Sequence, residues 1–133
     1  MKVLLISHGK FSEEILKSSE MILGPQKDVY PIIFLASESI ETLKDRVEEK
    51  LKVFSEKEII IITDIKGGTP FNVAFLLKKT YKFTLLTGLN LPILLEALIS
   101  KDIEIDAEVL GDKLIQVGSR SIEKINLRKE VKY

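Results

Sequence analysis

Two short runs of the chain are apolar at every consecutive position, and they constrain the fold more than any other feature of the sequence. They are VLLI, within residues 2–7, and IIII, within residues 58–63. Because successive side chains of a strand point to opposite faces of a sheet, both faces of these two strands must be covered. Such strands are typical of the centre of a parallel sheet that has helices on both sides.

Two further apolar runs, residues 29–34 and 83–87, complete a set of four predicted strands. Pro31 cannot donate a hydrogen bond to a neighbouring strand, so the run that contains it is expected at an edge of the sheet. Segments with apolar residues at helical spacing follow each strand. The order β-α-β-α-β-α-β-α-α therefore predicts an α/β fold, with an open, mainly parallel sheet and helices on both faces.

Capping residues indicate where several of these helices begin and end. Gly24 and Pro25 are expected to stop the first helix, and Ser39 and Asn90 are suited to cap the second and the fourth. A last amphipathic segment covers residues 107 to about 117 and predicts a fifth helix.

The third helix has the clearest start signal. Thr69 followed by Pro70 has the chemistry of an N-cap and a first helical residue. We expect the helix that Thr69 opens to bury Phe71, Ala74 and Phe75.

The composition of the chain excludes several classes of function. The 133 residues include no cysteine and a single histidine, which removes thiol catalysis, disulfide frameworks and multi-histidine metal sites. The 20 basic and 20 acidic side chains balance, which argues against a general nucleic-acid binder. The length fits one domain, residues 1–133. Because no secretion signal or membrane-length apolar run is present, we expect a cytoplasmic protein.

Residues whose side chains can take part in catalysis follow two of the predicted strands, at the sheet edge where open α/β sheets bind ligands. His8 comes after the first strand and Asp64 after the third, so the two side chains meet if these strands are neighbours. A carboxylate that accepts a hydrogen bond from one imidazole nitrogen fixes the tautomer and makes the other nitrogen more nucleophilic. The residues alone leave two other interpretations open, namely that His8 is a solvated loop histidine and that Asp64 caps the next helix.

A glycine-rich segment, Gly67-Gly68-Thr69, lies between Asp64 and the predicted third helix. Glycines let the backbone approach a ligand, the helix start adds about half a positive charge, and the threonine adds a hydroxyl donor. We interpret the segment as a cradle for a phosphoryl group, although a tight turn that needs glycine would have the same sequence. Nucleotide-binding motifs of the P-loop and G-x-G-x-x-G types are absent. The combination predicts phosphoryl transfer onto imidazole, without a metal or a cofactor.

Several strings of the sequence resemble one known family, the mannose-family EIIA domain of the bacterial sugar phosphotransferase system. The likeness runs from residue 1 to about 100 and continues more loosely to about 125. The strings that carry it are Ser-His-Gly at residues 7–9, Ser-Glu-Met-Ile-Leu-Gly at 19–24, Asp-x-x-Gly-Gly-Thr-Pro-Phe-Asn at 64–72 and Thr-Gly-Leu-Asn-Leu-Pro at 87–92.

This resemblance implies a phosphotransferase component that accepts a phosphoryl group from phospho-HPr on His8 and passes it to an EIIB domain during sugar uptake. It implies that Nε2 of His8 carries the group, that Asp64 holds the Nδ1–H, and that Thr69 lies near the phosphoryl oxygens. Two alternatives keep the same phosphohistidine without transport. They are a regulatory phospho-sensing module and an EIIA-like subunit of a dihydroxyacetone kinase.

The resemblance also implies a homodimer in which a C-terminal antiparallel strand, within residues 119–127, exchanges into the partner's sheet. Association with membrane permease components would be peripheral and would pass through EIIB. Because the donor and the acceptor are proteins, we expect an apolar rim for docking around the site. The candidates for this rim are Phe11, Phe71 and Leu89, with Leu91 as a further one.

Overall fold

The computed structural model describes residues 1–127, which form four strands and five helices in the predicted order. Residues 128–133, the end of the predicted domain and of its charged tail, lie outside the described residues. The elements are β1 (Lys2–His8), α1 (Phe11–Leu23), β2 (Val29–Phe34), α2 (Ile40–Val53), β3 (Ile59–Thr63), α3 (Thr69–Leu77), β4 (Thr84–Thr87), α4 (Leu91–Ser100) and α5 (Ala107–Arg120).

The four strands form one parallel sheet in the order β2-β1-β3-β4. Strand β1 is central, and its Leu5 lies opposite Pro31 of β2 on one side and Ile62 of β3 on the other. Strand β2 is at an edge of the sheet, which confirms the position predicted from Pro31. The two consecutively apolar strands are neighbours, as the sequence predicted.

Alternate residues of β1 contribute to two separate cores. Val3 and Leu5 pack with residues of α1, α4 and α5, whereas Leu4 and Ile6 pack with residues of α2 and α3. All four side chains are fully buried. The helices therefore cover both faces of the sheet, which confirms the predicted open α/β fold and explains why these positions are apolar in succession.

The two central strands continue into helices on opposite faces of the sheet. Helix α1 follows β1 on one face, and α3 follows β3 on the other. A crevice opens at the carboxyl ends of strands where neighbouring connections diverge in this way. The last residue of β1 and the residue that follows β3 therefore face one another at this edge of the sheet.

Three of the predicted helix boundaries are confirmed. The hydroxyl of Ser39 accepts a hydrogen bond from Thr42 N–H at 3.1 Å, and Asn90 Oδ1 accepts one from Ile93 N–H at 3.0 Å. Helix α1 ends before Gly24, whose φ of 83° suits a residue without a side chain.

The predicted N-cap of α3 is wrong by one residue. Gly68 is the N-cap, with an extended backbone, and Thr69 is the first residue of the helix. Pro70 consequently occupies the second helical position, where its missing N–H is also without an intrahelical partner. The shift places the glycine, rather than the threonine hydroxyl, at the helix entrance.

The predicted buried face of α3 is only partly correct. Ala74 is buried as expected, but Phe71 is half-buried and the side chain of Phe75 is 59% exposed. The helix instead buries Val73 and Leu77. Leu77 lies four residues after Val73 and three after Ala74, so the three side chains share one face, whereas Phe75 projects about 160° away from both Val73 and Leu77 around the helix.

Helix α5 continues to Arg120, beyond the predicted end near residue 117. The structure places residues 119 and 120 in its last turn, and residues 122–127 form no strand within the described chain. The exchanged C-terminal strand thus stays a prediction. Within residues 1–127, no helix combines the length and the apolar character that crossing a membrane requires.

Candidate functional site

His8 is the last residue of β1, and its side chain opens to solvent at the carboxyl edge of the sheet. About half of the side chain, 49%, is exposed. The next residue, Gly9, has a φ of 56° and donates its N–H to the carbonyl of Phe34 at 2.7 Å. The Phe34 ring meets the imidazole edge-on, with 6.4 Å between the ring centroids. The turn after β1 is thus attached to β2, and the imidazole has one apolar wall.

The carboxylate of Asp64 binds His8 through two different groups of that residue. Its Oδ2 atom lies 2.8 Å from the imidazole Nδ1 and also accepts the backbone N–H of His8 at 2.8 Å. Its Oδ1 atom accepts the N–H of Ile65 at 2.9 Å. With only 16% of its side chain exposed, Asp64 is an anchored group rather than a solvated loop residue.

This arrangement determines which imidazole nitrogen can react. An ionised carboxylate can only accept hydrogen bonds, so the contact with Asp64 requires a proton on Nδ1 of His8. In the neutral ring, Nε2 then has the free lone pair. The contact therefore leaves Nε2 as the imidazole nitrogen that Asp64 does not bind, and Asp64 does not cap the next helix.

Gly68 packs directly against the Nε2 edge of this imidazole. A Cβ atom built on Gly68 would lie 2.7 Å from Cε1 and 3.3 Å from Nε2 of His8. Any residue with a side chain would therefore collide with the ring. Glycine at this position is explained by close approach to His8, because its φ of −79° is open to other residues.

The glycine segment leads into the N-terminus of α3. Gly67 has a φ of 83°, in the region that favours glycine, and Gly68 is the N-cap of the nine-residue helix. The N–H groups of the first turn have no intrahelical acceptor, and the helix dipole makes this end positive. The structure therefore brings a helix N-terminus to the imidazole, and Thr69 is its first residue.

Two buried serines hold the chain on the other side of His8. The N-cap position of α1, Lys10, makes no side-chain capping bond. Instead, the hydroxyl of Ser7 accepts the N–H of Ser12 at 2.7 Å, and the Ser12 hydroxyl donates to the carbonyl of Ile32 at 3.2 Å. Sequence reasoning missed this support, although two serines spaced around a Gly-Lys turn are a signal for it.

The loop after β2 borders the same edge of the sheet and is fixed by an ion pair. Glu38 accepts the N–H of Leu35 at 2.9 Å, and its carboxylate is also bound by the guanidinium of Arg46. The bonds from Arg46, and then the bond from Leu35 N–H, hold the pKa of Glu38 below its ordinary value. This loop continues directly from Phe34, the residue whose ring packs edge-on against the imidazole of His8.

The predicted docking residues separate into exposed and buried ones. Phe11 is 43% exposed at the start of α1, and Phe71 is half-buried and stacks on Phe75 with 5.9 Å between the centroids. Leu89 is only 6% exposed and packs in the core with α4, and Leu91 is partly buried against the same cluster. The expectation of an exposed rim position for Leu89 is corrected, because its side chain turns inward.

Of the predicted residues, Asp64 and Gly68 both lie against His8, and Gly67 and Thr69 flank Gly68 in the chain. Sequence reasoning missed the second bond from His8, through its backbone N–H, and the anchoring of the carboxylate by Ile65. Backbone donors of this kind leave no trace in residue identity. Among residues 1–127, the acidic and histidine side chains form no cluster of three that could hold a metal ion.

The fold and the site together define an open parallel α/β domain that presents one imidazole, oriented by an aspartate, at a switch point of the sheet. Residues 2–113 match the family model EIIA-man, described as the PTS system fructose IIA component, where PTS denotes the phosphotransferase system. The chain belongs to this mannose family of EIIA components, which are phosphotransfer proteins of sugar uptake. The family resemblance of the sequence is thereby confirmed.

Individual relatives agree along almost the whole chain. The fructose-specific EIIA component of Bacillus subtilis is 32% identical, over 94% of this chain and 91% of that protein. The mannose-specific EIIAB component of Escherichia coli is 29% identical over 95% of this chain, which spans 40% of that longer protein. A solved structure of the mannose/sorbose specific IIA subunit from Enterococcus faecalis has a TM-score of 0.90 at 30% identity, over 98% of both chains.

Proposed function

We propose that this protein is a phosphocarrier that accepts a phosphoryl group from phospho-HPr on His8 and passes it to an EIIB domain. The observation that carries the proposal is the 2.8 Å contact between Asp64 Oδ2 and Nδ1 of His8, which leaves Nε2 as the reactive nitrogen. Membership of the EIIA family supports it, because this family serves a phosphotransferase system.

The transfer exchanges one phosphorus–nitrogen bond for another. The lone pair of His8 Nε2 attacks phosphorus, and the bond from phosphorus to the donor's imidazole nitrogen breaks. The electron pair of that bond returns to the donor ring, which was phosphorylated on one nitrogen and protonated on the other and is released neutral. His8 keeps its Nδ1 proton, so the exchange needs no metal and no net proton transfer.

Two parts of the site stabilise charge during this exchange. The imidazole of His8 becomes positive as the new bond forms, and the Asp64 carboxylate at 2.8 Å from Nδ1 compensates that charge. The phosphoryl oxygens are negative, and the helix N-terminus at Gly68 and Thr69 offers N–H groups and a hydroxyl to them. Positioning and fixed dipoles supply most of the catalysis in phosphoryl transfer.

The proposed partners are proteins. The Escherichia coli relative is described as an EIIAB component, and this joining of A and B supports EIIB as the acceptor for our chain. Phe11 and Phe71 are the apolar side chains that we assign to docking. We further propose that the protein acts as a homodimer in the cytoplasm, and that it contacts membrane permease components only through EIIB.

The test is a reconstituted relay with phosphoenolpyruvate, enzyme I and HPr, followed by intact-mass measurement. The wild-type protein is expected to gain one acid-labile phosphoryl group, and His8→Ala is expected to gain none, because no other histidine exists in the chain. Adding EIIB domains encoded nearby should discharge the phosphorylated protein. A wild-type protein that is not phosphorylated, or a His8→Ala variant that is phosphorylated to the same extent, contradicts the proposal. A phosphorylated protein that transfers its phosphoryl group to no EIIB contradicts the carrier role.

A further inference from the structure

Asn72, in the first turns of α3, binds the carbonyl groups of both glycines at the helix entrance. Its side-chain Nδ2 donates to the carbonyl of Gly67 at 3.3 Å, and its backbone N–H donates to the carbonyl of Gly68 at 2.9 Å. The backbone bond is an ordinary bond of the first helical turn. The side-chain bond is additional, because it reaches back to a residue that precedes the N-cap.

The bond to Gly67 matters because of the geometry of the peptide unit between Gly67 and Gly68. This unit is planar and trans, so its carbonyl and its N–H point in opposite directions. Holding the carbonyl of Gly67 toward Asn72 therefore directs the N–H of Gly68 away from Asn72. Glycine on both sides of the unit places little steric restriction on its rotation, so a side-chain bond is needed to hold one orientation.

We propose that Asn72 is a positioning residue for phosphoryl transfer, and this inference rests on the proposed function of His8. Asn72 holds the peptide between the two glycines in the orientation that offers the Gly68 N–H to the phosphoryl group on Nε2. Gly68 is the glycine whose added Cβ would meet the imidazole, which places this N–H in the immediate surroundings of Nε2.

The neighbouring loop provides a matched comparison. Asn90 Nδ2 donates to the carbonyl of Gly88 at 3.2 Å, and Gly88 has a φ of 90°. A bond of the same kind thus exists in the loop that enters α4, and a Cβ on Gly88, like one on Gly67, would meet nothing within 4 Å. An amide-to-glycine bond is therefore present in both loops, but only the peptide held by Asn72 leads to a residue, Gly68, at which an added Cβ would meet His8.

Three variants test the inference: Asn72→Asp, Asn72→Leu and, as the control, Asn90→Asp. The two aspartate variants each remove one amide donor and add the same charge, and Asn90→Asp retains a side-chain oxygen that can cap α4. The leucine variant removes the donor without adding charge. At saturating phospho-HPr we expect both Asn72 variants to slow phosphorylation of His8 about tenfold, with KM unchanged. This is less than the roughly 10² to 10³ typical when an oxyanion donor is lost altogether. Asn90→Asp should stay within about twofold of wild type.

A second measurement is independent of phosphorylation. The amide ¹H–¹⁵N resonance of Gly68 in the unphosphorylated protein should shift or broaden in Asn72→Leu and stay in place in Asn90→Asp. An unmoved Gly68 resonance in Asn72→Leu overturns the inference, as does a wild-type transfer rate in that variant or an equal loss in Asn90→Asp. Failure of the proposed function itself is distinguishable, because the wild-type protein would then take up no phosphoryl group.

Discussion

Replacing Asp64 with asparagine should slow phosphorylation of His8 by about 10²- to 10⁴-fold, because general acid–base groups contribute in this range and the loss of charge on an aspartate that orients a reactive histidine reaches its upper end. Both carboxylate oxygens of Asp64 accept N–H groups, one from Ile65 and the other from His8. An asparagine has only one oxygen, so its NH₂ group must face one of these donors. The variant also cannot compensate the positive charge that forms on the imidazole.

The rate of the Asp64→Asn variant is measured with phospho-HPr as the donor, beside Asp45→Asn as a control. Asp45 is exposed on α2, so this variant undergoes the same loss of charge away from the site. We expect Asp45→Asn to react like the wild type and both variants to retain the wild-type circular dichroism spectrum. Wild-type transfer in Asp64→Asn would remove Asp64 from the mechanism.

Substituting Gly68 with alanine is expected to reduce the transfer rate by about 10²-fold, because misplacement of a reacting group by about 1 Å has a cost of this order. The added methyl group would lie 2.7 Å from Cε1 of His8, so the ring or the loop has to move. Movement of the ring weakens its bond to Asp64, and movement of the loop displaces the helix N-terminus. The backbone of Gly68 suits alanine, so the fold should be retained.

The control for this prediction is Gly24→Ala, measured in the same transfer assay together with thermal unfolding. Gly24 has a φ of 83° and open space around it, so alanine there causes backbone strain without a collision. That variant should lose about 1 to 3 kcal/mol of stability and keep its transfer rate. Gly68→Ala should keep its stability and lose transfer rate. Unchanged transfer in Gly68→Ala would show that the glycine does not shape the site.

The sheet and the pairing at its centre could be predicted because they follow from burial on both faces. Strands β1 and β3 are apolar at consecutive positions, which requires neighbours and helices on both sides. Once they are adjacent and parallel, His8 and Asp64 must meet at one edge. Single residues at strand ends therefore carried enough information to locate the candidate site.

The errors in the prediction lie where a shift of one residue along the chain changes which residue caps a helix or which side chain is buried. Thr69 is a better N-cap than glycine by intrinsic preference, but Gly68 takes that position because the chain must pass close to His8 there. Phe75 is exposed and Leu89 is buried. Apolar character predicts a buried Phe75, and a loop position beside the site predicts an exposed Leu89, but neither signal distinguishes a core position from an exposed one beside it.

Bonds made by the backbone could not be predicted at all. The N–H groups of His8 and Ile65 fix the Asp64 carboxylate, and every residue except proline has such a group. Their contribution depends on the three-dimensional path of two loops rather than on residue type. The predicted exchange of a strand within residues 119–127 is also beyond local pattern, since its partner would be a second chain.

The most direct test of the central claim uses the fact that the chain has one histidine. Protein labelled with ¹⁵N in histidine gives the signals of a single imidazole, whose two nitrogens are distinguished by long-range ¹H–¹⁵N correlations. After charging by phospho-HPr, we predict that the phosphoryl group is on Nε2 and that Nδ1 keeps its proton, held by Asp64. A phosphoryl group on Nδ1, or a phosphorylated protein whose imidazole is unaltered, would contradict the account.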